Sequence, residues 1–277
     1  MNILLATPLY SQHYDSGHFW LRALQELRHN VRVWDYRLEP ALFLQHGWTF
    51  DVAIVLKGEG VDPRILSGTR FCYWPDNFER NPGIENILQY YDQVFTPVRP
   101  TPEGYEWLVT GYDPLIHRSI PTEKDIRTLY IGTNNSPRKA KFIKELSPYV
   151  LAGNKWENEP YWRETLPPQY LGDFVLLANR AMIAINIHQG DVGVNRKLFE
   201  LIPCTFTITD LVPGVEEILG EELAKKVGFI TSEGAQKLID YYLEHPGERE
   251  ELWEMEKQKI KGYTYLEAAK KVLSFLR

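Results

Sequence analysis

Asn186-Ile187-His188-Gln189-Gly190-Asp191-Val192-Gly193-Val194-Asn195-Arg196-Lys197-Leu198-Phe199-Glu200 is the stretch that decides how the chain is read. It continues the apolar run 182–187, which is too short for a helix and ends in turn residues, and so reads as a buried strand. A glycine-rich loop then turns directly into an apolar-periodic segment at 195–202, read as a helix. Strand, glycine-rich loop and helix make the unit of open α/β sheets, whose ligands sit outside the carboxyl ends of the strands. The first helical turn offers Asn195, Arg196 and Lys197, with Glu200 one turn on. Cations beside a helix start suit a diphosphate, and a carboxylate suits ribose hydroxyls. An Arg196–Glu200 surface pair at i,i+4, worth ~0.2–0.5 kcal/mol, fits the same spacing.

Outward from this stretch the alternation repeats. In the second half, strands at 128–131, 149–152, 205–209 and 227–230 alternate with helices at 137–146, 174–179, 235–244, 248–261 and 263–275. In the first half, strands are expected at 2–6, 31–36, 52–56, 70–74 and 93–96. A helix at 17–28 carries Phe19, Trp20, Ala23, Leu24 and Leu27 on one face. That rhythm predicts an α/β fold of parallel sheets covered on both sides. Prolines gather at 97, 100, 102, 114 and 121, so the connection between domains is placed near 115–126. The expected division is 1–122, 123–262 and a terminal helix 263–277, with Gly262 ending the preceding helix in a left-handed conformation. A length of 277 residues suits two domains of roughly 150 residues each.

Composition narrows the function. Apolar residues make up 44% and charged residues 25%, the proportions of a folded globular chain. The net charge of −6, acidic in both halves, argues against duplex nucleic acid as a partner. Cys72 and Cys204 lie apart in apolar runs, without the spacing of a zinc or redox motif. The start lacks a basic, long-apolar signal and no apolar run approaches 18 residues, so a cytoplasmic protein without a membrane span is expected.

The first loop, 7–18, is long and polar for a strand-to-helix connection. It has no G-x-G-x-x-G, which removes the main support for a dinucleotide oxidoreductase. It does bring Asp15 and His18, with His13, to the carboxyl edge of the first strand; Asp15 serves equally as a helix cap. Trp74-Pro75-Asp76-Asn77 puts Asp76 at another strand end, where an ordinary turn also fits. Glu59, between Gly58 and Gly60, reads either as lining that edge or as an exposed turn. In the second half, Gly132-Thr133-Asn134-Asn135-Ser136-Pro137-Arg138-Lys139 opens a helix, and is expected to offer backbone N–H groups and Arg138 to a diphosphate.

These residues resemble the glycosyltransferase group 1 type, and within it the spore-maturation CgeB-like branch. The resemblance covers roughly 127–277 and is carried by the Gly132 to Arg138 entrance, Asn195-x-x-x-Phe199-Glu200, Thr209-Asp210, Gly214 to Glu217, Tyr241-Tyr242-Leu243-x-His245-Pro246 and Tyr263-Thr264-Tyr265. More loosely, Tyr73-Trp74-Pro75-Asp76, Tyr91-Asp92-Gln93-Val94-Phe95 and Gly111-Tyr112-Asp113-Pro114 resemble the paired N-terminal domain. The resemblance implies the GT-B architecture of two facing Rossmann-like domains with an interdomain cleft. It also implies a UDP- or GDP-sugar donor, no obligatory metal, and a last helix crossing back to the first domain. Glu200 matches the second carboxylate of the E-x7-E pattern and is implied to hold the ribose. The first carboxylate is replaced by Val192, beside Asp191, and Cys204-Thr205 stands where a small residue and glycine are usual.

Breaking a sugar–phosphate bond puts negative charge on the departing diphosphate, which needs cations. Arg138, Arg196 and Lys197 are expected to supply them, with Gly132, Asn134, Asn195 and Glu200 completing the donor site. An inverting reaction needs a base on the other side of the sugar, for which Asp76, His18 and Asp15 are candidates in that order. The acceptor would be a glycan, a protein or a small molecule. A nucleotide-sugar epimerase and a non-catalytic two-domain binder are the competing readings, since fold alone does not establish chemistry.

Overall fold

A computed structural model describes residues 1–9, 16–40, 49–156, 164–190 and 192–276. The chain divides into two compact units, Met1–Thr110 with Thr264–Arg277, and Gly111–Tyr263.

In the first unit, β1 (Asn2–Ala6), β2 (Asn30–Trp34), β3 (Val52–Leu56), β4 (Thr69–Tyr73), β5 (Gln93–Thr96) and β6 (Tyr105–Trp107) form one sheet. Its order is β2-β1-β3-β4-β5-β6 and every pairing is parallel. β3, Val-Ala-Ile-Val-Leu, is buried at every position, as a central strand covered on both faces must be. α1 (Gly17–Glu26) lays Phe19, Trp20, Ala23 and Leu24 into the core, and the short α2 (Glu85–Leu88) precedes β5. Its first residue has to be glycine, because a Cβ there would stand 2.6 Å from Thr7 Oγ1. The terminal helix α10 (Tyr265–Leu273) belongs to this unit. Tyr265 stacks near Phe19 at 5.1 Å between ring centroids, and Phe275 meets Phe95 at 5.2 Å.

In the second unit, β7 (Ile126–Ile131), β8 (Val150–Ala152), β9 (Glu164–Leu166), β10 (Ala181–Asn186), β11 (Thr207–Asp210) and β12 (Gly228–Phe229) form the other sheet. The order is β12-β11-β10-β7-β8-β9, again wholly parallel. The helices are α3 (Pro137–Leu146), α4 (Leu171–Arg180), α5 (Arg196–Leu201), α6 (Val215–Leu219), α7 (Glu221–Val227), α8 (Ser232–Glu244) and α9 (Pro246–Ile260). Pro137 sits at the start of α3, where its missing N–H is no loss, and Ser136 Oγ accepts from Lys139 N at 3.3 Å.

Several expectations need correcting. The units part after Thr110 rather than 122, because 111–122 is tied to the second unit: the Asn179 amide accepts from Ile120 N at 2.9 Å and donates to Arg118 O at 3.0 Å. The edge strands β6 and β9 have three residues each and no buried position, so no apolar run announces them. β11 starts at Thr207, two places later than its apolar run suggests; Thr205 Oγ1 instead donates to Ala181 O at 2.7 Å. α9 does stop ahead of Gly262, but that glycine is not among those with positive φ.

Candidate functional site

β11, β10 and β7 lie side by side, so residues 132–136, 187–195 and 211–214 follow their carboxyl ends. In a parallel sheet this is the edge where ligands collect. Two buried carboxylates of this unit, Glu200 on α5 and Asp210 at the end of β11, each have basic groups around them.

Glu200 lies on the inner face of α5 with its side chain only 4% exposed. Arg196 Nε is 2.8 Å from Oε1, Lys197 Nζ is 2.7 Å from Oε2, and His117 Nε2 is 3.9 Å from Oε1. Burial by itself would push this carboxyl upward. The charges of Arg196, Lys197 and His117 and the Lys197 hydrogen bond outweigh it and hold the group down to about 2. His117 is fixed by the Asp113 backbone: Nδ1 lies 3.1 Å from Asp113 N and 3.2 Å from Asp113 O, and in the charged ring it donates to that carbonyl. Lys197 also stands 4.2 Å above the Phe174 ring, a cation–π contact. The Arg196–Glu200 pair is thus present, but with the carboxylate buried and the arginine 34% exposed.

Asp210, at the end of β11, is fully buried. Its Oδ1 accepts from His188 N at 2.8 Å and lies 2.6 Å from His188 Nδ1; its Oδ2 is 2.5 Å from Arg138 NH1. Here too burial favours the neutral form. The His188 charge and hydrogen bonds, with Arg138, win and keep Asp210 below its ordinary value.

Arg138, Arg196, Lys197 and Glu200 therefore stand as charged side chains of this unit. Three other expected donor-site residues do different work. The Gly132 N–H donates to Ala152 O at 2.9 Å and the Asn134 N–H to Asn154 O at 3.0 Å, so neither is available to a phosphate. Gly132 is required for space, since a Cβ would meet the Tyr130 hydroxyl at 2.6 Å. Its carbonyl accepts from Trp156 Nε1 at 2.7 Å. Asn195 spends its amide on structure: Oδ1 caps α5 by accepting from Leu198 N at 3.2 Å, and Nδ2 donates to Ile187 O at 3.0 Å.

In the first unit, Asp76 follows β4 and pairs with Lys57 Nζ at 2.9 Å. His18 is exposed on the first turn of α1, and Asp15 lies outside the described residues. His188, Asp210 and His117 were not expected as site residues. The first two stand within the stretches that mark the strand ends; nothing in the sequence marks His117, which reaches Glu200 only because 111–122 folds onto this unit. Among the described residues no group of three or more His, Cys, Asp or Glu is arranged to hold a metal ion, and no helix is long and apolar enough to cross a membrane.

Residues 138–274 match the family model described as glycosyl transferase-like. The fold is that of solved GT-B glycosyltransferases. Anabaena Alr3699/HepE in complex with UDP and glucose is similar at a TM-score of 0.70 and 13% identity, over 100% of this chain and 99% of that one. The T4 phage beta-glucosyltransferase with its UDP-glucose substrate is similar at 0.65 and 12%, over 99% and 98%. An alpha-glucosyltransferase with UDP and a 13-mer DNA is similar at 0.63 and 10%, over 99% and 98%. No curated protein matches the chain by sequence.

Proposed function

We propose that this protein, a glycosyltransferase of the GT-B-like class, takes a UDP-sugar as donor and holds it through Arg138, Arg196, Lys197 and Glu200. The observation that carries the reading is Glu200: a buried carboxylate kept ionised by two cations on its own helical turn. Ribose hydroxyls can donate to that carboxylate, and the cations it holds are then placed for the diphosphate. As the bond from sugar C1 to the phosphate oxygen breaks, electron density moves onto that oxygen, and fixed cations stabilise it without reorganisation. UDP is preferred over GDP because both HepE and the T4 beta-glucosyltransferase were solved with it. The motifs at Gly132–Arg138 and Asn195–Glu200 support placement in the CgeB-like branch.

Charge compensation by side chains makes an obligatory metal unnecessary in this proposal, although one T4 enzyme structure holds UDP with Mn2+. The T4 beta-glucosyltransferase is described as a DNA-modifying enzyme. For this chain a net charge of −6 favours a neutral or cationic acceptor, a glycan, protein or small molecule, over a duplex. If the reaction inverts the anomeric centre, Asp76 takes the acceptor proton, with His18 and Asp15 behind it.

The test is a thermal-shift panel of UDP, GDP, ADP and CDP with and without EDTA. A ligand at 100 times its Kd adds about 2.7 kcal/mol of stability. UDP alone should stabilise, equally in EDTA; stabilisation by GDP alone reassigns the base, and by none removes the donor site. Acceptor-stimulated release of UDP from the UDP-sugar separates transfer from epimerisation or simple binding.

A further inference from the structure

Behind Arg138 runs a buried polar chain that spans two strands. Asn186 Nδ2 donates to Thr209 Oγ1 at 2.9 Å and lies 3.4 Å from His188 Nε2; His188 Nδ1 meets Asp210 Oδ1; Asp210 Oδ2 meets Arg138. Asn186, His188, Thr209 and Asp210 are all buried, and only the arginine, 25% exposed, reaches solvent. Tyr130, also buried, is a further titratable group facing Asp210 among the described residues.

Such a chain is a poor device for stability alone, because well-packed apolar residues usually do as well as a buried ion pair. Nor is it fully satisfied: Asn186 Oδ1 is buried without a partner. What it does have is direction. The His188 backbone N–H and ring both hold Oδ1 of Asp210, which fixes the carboxylate plane and turns Oδ2 toward the guanidinium. Arg138 is long and a quarter exposed, and its guanidinium carries five N–H donors in a fixed fork. The imidazole cannot itself reach a substrate, since its Nε2 faces Asn186.

We propose that Asp210 and His188 are positioning residues for the donor's diphosphate, holding Arg138 in place for the phosphates. The inference rests on the donor reading above. Preorganisation of this kind raises affinity for the group that is met and leaves the rest of the ligand unaffected.

The experiment titrates UDP and uridine into the full-length protein by calorimetry, with thermal melts of each variant. Arg138→Ala should weaken UDP about 30- to 100-fold and uridine less than twofold. Asp210→Asn and His188→Leu should weaken UDP about 5- to 30-fold with uridine again unchanged. His188→Asn, which keeps a donor near the Nδ1 position, should restore the UDP-to-uridine ratio to within about threefold, and Asp210→Asn should add nothing in the Arg138→Ala background. If wild type does not bind UDP, or Arg138→Ala leaves UDP binding intact, the donor reading fails and this inference with it. If Arg138→Ala acts as expected but the ratio is unmoved in Asp210→Asn and His188→Leu, or both ligands weaken equally, the positioning role alone is overturned. Should Asp210→Asn not fold, the two His188 variants decide.

Discussion

Arg196 and Glu200 occupy one turn of α5 with Nε 2.8 Å from Oε1, so the cation expected to meet phosphate is held by the carboxylate expected to meet ribose. On a surface such a pair would be worth a few tenths of a kcal/mol. Here the carboxylate is buried with Lys197 on its other oxygen, and the pair is a preset element of the site.

Truncating the exposed partner tests this directly. Arg196→Ala should lower kcat for UDP-sugar turnover by about 10²–10³-fold, the usual loss when one stabilising donor is removed. Its Tm should stay within a few degrees of wild type, since the side chain is a third exposed and Lys197 still answers Glu200. Steady-state kinetics with a melting curve checks both halves; a large fall in Tm with unchanged kcat would make the pair structural.

Glu200 also predicts an acid limb. Its carboxyl is held to about 2 in the folded state against an ordinary 4.5. A depressed folded value stabilises above the unfolded value, and that stability is lost as pH falls from about 4.5 toward 2. At about 1.4 kcal/mol per unit, the amount at stake is on the order of 3 kcal/mol. Glu200→Gln should cost stability at pH 6 and much less at pH 3, read by urea unfolding at the two values. Parallel losses at both would remove the linkage.

Much of this site was legible because its residues are neighbours in sequence: Arg196, Lys197 and Glu200 share a helix that follows a glycine-rich loop, and β3 announces itself by five buried residues in a row. The short edge strands β6 and β9 were not, since they bury nothing. Partners that arrive from far along the chain were also invisible. His117 comes to Glu200 from the segment assigned to the domain connection, and Asp210 meets Arg138 across neighbouring elements. The Gly132 and Asn134 N–H groups read as free because the sequence does not show that β8 and the turn after it take them.

In the first unit, Asp76 is the strongest candidate for a base, held through Oδ2 by Lys57 at 2.9 Å. For an inverting reaction Asp76→Asn should lower transfer about 10²–10⁴-fold while UDP affinity stays within twofold. Product stereochemistry by proton NMR fixes which case applies. An inverted product with undiminished rate in the variant would pass the role to His18 or Asp15.

A carboxyl of the second unit has a pH dependence that runs the other way. Glu256 on α9 is fully buried; its Oε2 accepts from Thr207 N at 3.1 Å and its Oε1 has no partner. Desolvation, against that one backbone hydrogen bond, raises it well above the ordinary carboxyl value. A raised folded value means that stability is complete below about 4.5 and is lost as pH rises toward the folded value, at about 1.4 kcal/mol per unit. Glutamine keeps an acceptor for Thr207 N and cannot ionise. Glu256→Gln should therefore be close to wild type in stability at pH 4.5 and more stable than wild type at pH 8. Urea denaturation at both values measures the difference. Equal stability at pH 8 would mean that Glu256 ionises in place without cost, and that water or a cation reaches the start of β11.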